Sequence, residues 1–179
     1  EVIDKLRYTI EKNCLTFIST QQPVAVDARR LLSAVIVSEE LERIGDYAEG
    51  IAKVTLDLRG KQDGVDLSQF GNLADIFSKM RDKAISMLGA SAEAFFARNK
   101  DYAIEESRRV CAADDEVDGL YRAAYEILWA DKDGDIEVVI RLGWVAHDLE
   151  RIADRATNIA ERAFFVATGE MEDIGASNF

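Results

Sequence analysis

Proline, histidine and cysteine are nearly missing from this chain of 179 residues, and each shortage closes off a class of answer. One proline, together with almost no alternation of β-branched residues, excludes a sheet threaded through many turns and leaves helices as the expected element. The two cysteines, Cys14 and Cys111, are isolated, so neither a disulfide framework nor a CxxC motif can form. Their apolar helical settings predict buried free thiols in a reducing cytoplasm. His147 is the one histidine, which removes the usual His-ligated zinc sites and any second catalytic imidazole. No Gly-rich phosphate loop is present, so direct nucleotide binding is not expected. The longest nearly apolar run, residues 31–37, falls far short of the roughly 18 residues that a membrane span needs. No basic, apolar, small-residue leader opens the chain, so no secretion signal is read. Basic charge is also scarce: 22 Lys and Arg face 34 Asp and Glu, for a net charge of -12. Phosphate backbones repel such a chain, and nucleic acid is not an expected partner. Cations or basic partner surfaces suit it better.

What remains is 48 % hydrophobic residues at helical spacing with 31 % charged residues, enough to fold around a core. The pattern predicts five helices. The first covers about residues 2–19 and is broken at Pro23. The second runs to about Leu58, the third over about 69–97. A fourth, capped by Asp101, reaches Trp129, and a fifth runs from an Asp135 cap to Thr168 before Gly169. The segment from Leu41 to Ala52 repeats 108 positions later, with eight of twelve residues identical. That repeat relates helices one and two to helices four and five, and gives helix three no counterpart in the first half. The fold class expected is all-α, as two tandem antiparallel bundles. Residues 1–60 form a first repeat of two helices, 61–68 a linker, and 69–179 a second repeat of three. The chain starts with Glu1 inside a helical pattern. The expectation is therefore a preceding segment with an acid just before Glu1 and an amphipathic helix matching helix three, whose absence leaves the apolar faces of helices one and two exposed or covered by another chain.

The repeated segment carries Glu42 with Asp46, and Glu150 with Asp154. Residues four apart lie on one helix face, so each is a carboxylate pair. Taken alone, such a pair is most simply a solvated acidic face. Hairpin geometry adds to it, because Asp118 and Glu150 are equidistant from Gly134, as are Asp114 and Asp154. Four carboxylates should therefore stand together across one hairpin. In the first half, Asp4 and Glu42 are equidistant from Pro23. Each like-charge pair costs about 0.2–0.5 kcal/mol, whereas a cation held at micromolar affinity returns about 8 kcal/mol. An all-oxygen set favours hard or borderline cations, from Mg²⁺ and Mn²⁺ to iron. The aromatic series Tyr121, Tyr125, Trp129, Trp144, Phe164 and Phe165 is expected in the core between facing helices.

The stretches "ELERIGDYAEGIA", "QQPVAVDARR", "ADDEVDGLY" and "HDLERIADRATNIAERAFFVATGE" closely resemble the PhoU family of phosphate-signalling proteins, over essentially the whole chain. The resemblance implies two three-helix bundles whose E(D)xxxD motifs hold multinuclear metal clusters, often iron or zinc. By position the motifs fall on Glu42 and Asp46, Asp114 and Asp118, Glu150 and Asp154, with Asp4 as half of a fourth. It further implies a non-enzymatic, cytoplasmic, homo-oligomeric regulator. Such a protein contacts the ATPase of the phosphate transporter and its sensor histidine kinase, meets the membrane only through partners, and represses phosphate-starvation genes. Ala153 departs from the usual Gly of the second motif. Gly50 and Lys53 stand where the second copy has Asn158 and Glu161, which predicts a weaker first cluster. Two alternatives stay open: a carboxylate-bridged di-iron oxidase, disfavoured by one HxxE in place of two ExxH motifs, and a metal-free helical adaptor.

Overall fold

The computed structural model describes residues 1–60, 65–131, 135–172 and 174. Among them the chain is helical, with no strand: α1 (Val2–Gln21), α2 (Ala25–Arg59), a short 3-10 turn at Leu67–Phe70, α3 (Leu73–Phe96), α4 (Lys100–Ala130) and α5 (Ile136–Thr168). Residues 61–64 of the expected linker and the hairpin centre at Gly134 lie outside the described residues.

The ends of the helices follow from local chemistry. Gln22 ends α1 in the left-handed region at φ 49, its amide bonded to the Ile18 carbonyl at 3.2 Å. Pro23 then stands two residues ahead of α2, rather than inside its first turn. The third helix starts later than its periodicity predicts. Asp66 accepts from the Ser68 amide at 2.9 Å and from its hydroxyl at 2.8 Å, which winds residues 67–70 into the tighter turn before α3 begins. Asn99, not Asp101, caps α4, accepting from the amides of Asp101 and Tyr102 at 2.9 and 3.2 Å. Asp101 instead places its charge in the first turn, where the helix dipole favours it. Asp135 caps α5 as expected, and Gly169 closes it at φ 86, a conformation that costs glycine little.

α5 lies at the centre, packed against α2, α3 and α4. Its buried stripe is rich in small residues, Ala146, Ala153, Ala156, Ala160 and Ala163, so neighbouring helices can approach closely. Leu73, Met80 and Met87 of α3 and Val117, Ala124 and Leu128 of α4 complete the core, joined by Val54 and Leu58 of α2. α2 and α5 run antiparallel in a fixed register: Glu40 meets Asn158, Gly50 meets Asp148 and Asp57 meets Arg141. Gly50 is a place of close approach, since a Cβ there would lie 2.6 Å from the Asp148 carboxylate. The two copies of the repeated segment thus sit side by side, in opposite directions.

α1 is different. It packs on α2 and buries one residue, Cys14, while Leu6, Leu15 and Ile18 remain exposed. The exposed apolar face anticipated for the first helix is present.

Candidate metal centre

The α4–α5 hairpin adopts the register expected of it. The Tyr125 hydroxyl donates to the Gly143 carbonyl at 3.2 Å, a pair equidistant from position 134. Stepping back along both helices from that contact brings Asp118 beside Glu150 and Asp114 beside Asp154. Their electrostatics agree. Among the charged neighbours of Asp118 that raise its pKa, Glu150 acts most strongly. Asp114 is pushed up to about 6, first by burial and then by Asp118, Asp154, Glu150 and Asp115. Burial lifts this carboxyl most, and the neighbouring acids raise it further from its ordinary value of 3.8.

Arginines answer part of that charge. Glu150 accepts two bonds from Arg151, at 2.7 and 2.8 Å, which holds this guanidinium firmly charged. Asp154 is paired with Arg155 and with Arg151 at 3.1 Å. Arg155 also reaches Glu40 of α2 at 3.2 Å, and its Nε is buried without a partner. Glu40 itself is buried, and takes further bonds from Arg43 at 3.4 Å and Asn158 at 3.3 Å. The sequence reading passed over Glu40, Arg151 and Arg155. Arg43 and Arg151 occupy the same position of the repeat, and that doubling was the available signal.

The first-half acids are placed apart. Asp4 lies close enough to Glu49 to act on its charge. The contact of Ile3 with Gly45 sets Asp4 about half a turn further along α2 than the expected level with Glu42. Asp46 is exposed and faces Lys53, which also pairs with Glu49 at 2.8 Å. Glu42 is half-buried. Four of the seven acids are therefore brought together: Asp114, Asp118, Glu150 and Asp154.

Among the described residues, no group of three or more His, Cys, Asp or Glu is placed so that it could hold a metal ion as the side chains stand. The four carboxylates form an open, all-oxygen cluster in which Glu150 and Asp154 are turned onto arginines. Their chemistry fits a hard or borderline cation, since such an ion would relieve the repulsion recorded at Asp114 and take over the charge that Arg151 and Arg155 supply.

The PhoU domain model matches residues 1–55 and 77–163. This chain belongs to the PhoU family. A phosphate-specific transport system accessory protein PhoU homolog of Clostridium acetobutylicum is 33 % identical over 178 residues, which span 97 % of this chain and 76 % of the relative. Its namesake in Zymomonas mobilis is 35 % identical over 171 residues, or 94 % of this chain and 68 % of the relative. Crystal structures of PhoU from Streptococcus pneumoniae and Pseudomonas aeruginosa share the fold, with TM-scores of 0.70 and 0.71 at 24 % identity. They cover 96 % and 94 % of this chain and 77 % of each solved chain. The family match spans both copies of the repeated segment and all four converging acids.

Proposed function

We propose that this PhoU-family chain is a metal-binding regulatory adaptor of phosphate uptake and phosphate-starvation signalling. It acts by protein contacts, not by catalysis. The transport role is taken from the accessory proteins it is similar to. The partners are the ATPase of a phosphate transporter and a sensor histidine kinase, met in the cytoplasm by a homo-oligomer. No described helix is long and apolar enough to cross a membrane, which accords with reaching the transporter through a partner.

The observation that carries the reading is the convergence of Asp114, Asp118, Glu150 and Asp154 on one hairpin, where burial first and the neighbouring acids second push Asp114 up to about 6. These residues would hold a cluster of iron or zinc, as the family resemblance implies, or of manganese or magnesium, which the all-oxygen set also suits, and the metal would supply a fixed positive centre. The chain's own residues then set its limits. Arg151 and Arg155 compete with the cation for Glu150 and Asp154, and Asp115 adds negative charge beside them. Asp4, Glu42 and Asp46, which stand apart in the structure, would contribute at most a weaker first-half site.

The test is the metal content of purified protein, by elemental analysis, before and after Glu150→Gln with Asp154→Asn. Removing two anions from the cluster should lower bound metal several-fold. Unchanged content places the metal elsewhere. Two coupled irons with oxygen turnover would instead support an oxidase, and no metal at all a plain helical adaptor.

A further inference from the structure

Arg155 is shared between two acids on different helices. It pairs with Asp154 of the acidic cluster and reaches across to Glu40 of α2 at 3.2 Å, while its Nε is buried without a partner. The other bonds that Glu40 accepts are long, 3.4 Å from Arg43 and 3.3 Å from Asn158. The side chains of Arg155 and Glu40 are 16 and 9 % exposed, so water answers little of either charge and the guanidinium has to be held by these carboxylates. Arg151 bonds Glu150 and Asp154 beside it, and Tyr47 of α2 lies near enough to act on both arginines. The two copies of the repeat differ at this spot. Tyr47 stands where the second copy has Arg155, and Gly50 where it has Asn158. Asp148, which matches Glu40, therefore faces a glycine where Glu40 faces an asparagine. The sharing belongs to one half of the molecule.

We infer that Arg155 couples cation binding in the acidic cluster to the α2–α5 seam: it leaves Asp154 when a cation is bound there, and Glu40 takes it whole. The inference rests on the metal reading and names the residues that carry the state of the cluster to α2. An Asp154 carboxylate that ligates a cation keeps little negative charge for a guanidinium, whereas Glu40 is buried and held by long contacts. Both acceptors are already within reach of Arg155, so the exchange needs a shift of one side chain and no movement of a helix. Coupling between two sites is reciprocal: if a bound cation tightens the Arg155–Glu40 pair, that pair raises cation affinity by the same factor, commonly about 5- to 150-fold. Glu40 is then a positioning residue for the metal site, acting through Arg155. A purely structural Arg155–Glu40 pair would hold α2 to α5 equally well with the cluster empty or filled.

The test is Zn²⁺ affinity, read by competition with a chromophoric chelator, in the wild type, Glu40→Gln, Arg155→Met and the double variant. Glu40→Gln keeps hydrogen-bonding atoms in place and removes the charge that draws Arg155 off Asp154, so affinity should fall about tenfold. Arg155→Met removes the competitor for Asp154, so affinity should rise at least about threefold. Damage to the fold cannot imitate this result, because it would weaken binding in both proteins. In the Arg155→Met background, Glu40→Gln should change affinity less than about twofold, since the residue that links them is gone. Hydrogen exchange gives a second readout. Zn²⁺ should slow the α2 amides of residues 36–44 more in the wild type than in Arg155→Met, with the α4 amides of residues 114–118 slowed in both. Unchanged affinity in Glu40→Gln, weaker binding in Arg155→Met, or equal slowing of α2 in the two proteins overturns the coupling and leaves the metal site standing. Wild-type protein that binds no Zn²⁺, or binding that survives Glu150→Gln with Asp154→Asn, removes the metal reading and the coupling with it.

Discussion

Asp114 is the residue in which burial and charge conflict most. Its carboxyl, half-buried between Asp118 and Asp154, has its pKa pushed up to about 6 from an ordinary 3.8. A carboxyl whose pKa rises on folding supports the native state fully below the unfolded value. It loses that support as pH climbs through about 6, because ionisation then penalises the fold. In metal-free protein, Asp114→Asn should therefore stabilise the chain at pH 8 by on the order of 1–2 kcal/mol, after discounting for solvent screening. At pH 4, where the native carboxyl is already neutral, the gain should vanish. Urea midpoints at the two pH values measure it, and an equal gain at both would mean that charge is not the cause. Adding a divalent cation at pH 8 should close the same gap from the other side, since the ion relieves the repulsion that the amide removes.

Between elements, the α2–α5 seam turns on Glu40. It is buried on α2 and held by Arg155 and Asn158 of α5, while Arg155 keeps a second hold on Asp154. Glu40→Ala should cost about 1–3 kcal/mol, less than for a wholly orphaned partner because Arg155 retains Asp154. A double-mutant cycle with Arg155→Met should recover much of that loss, whereas strictly additive costs would show that the pair is not coupled. The seam was not legible in the sequence. Periodicity and end signals gave five helices, the Asp135 cap and the Gly169 stop, and the numbering of a tight hairpin gave the Tyr125–Gly143 register and the meeting of four acids. Those are local or hairpin-local rules. The approach of Glu40 to Arg155 joins residues far apart in the chain, and a helical pattern shows which side a residue takes without showing which helix covers it. Trp129 and Trp144, expected in the core, are exposed for the same reason: helical spacing puts each on a face of its own helix, and nothing in that spacing tells whether the face is covered.

For the whole molecule, the proposed metal site predicts that stability depends on bound cation. A chain of charge -12 with four converging carboxylates repels itself when metal-free, and a ligand held by the native state alone stabilises it by mass action. At a free metal concentration about 100-fold above the dissociation constant, that linkage is worth about 2.7 kcal/mol. In a chain of this size each kcal/mol moves the melting midpoint by about 2–4 °C. Stripping metal-loaded protein with a chelator near neutral pH should therefore lower the Tm by roughly 5–10 °C, and readdition of the metal should restore it. The Glu150→Gln, Asp154→Asn protein should show little of this shift, because its cluster has lost two anions. Monovalent salt alone should not reproduce the effect of the metal, since screening eases repulsion among exposed charges without filling the cluster. A chelator that empties the protein yet leaves its melting curve unmoved would mean that the bound metal does not hold α4 to α5.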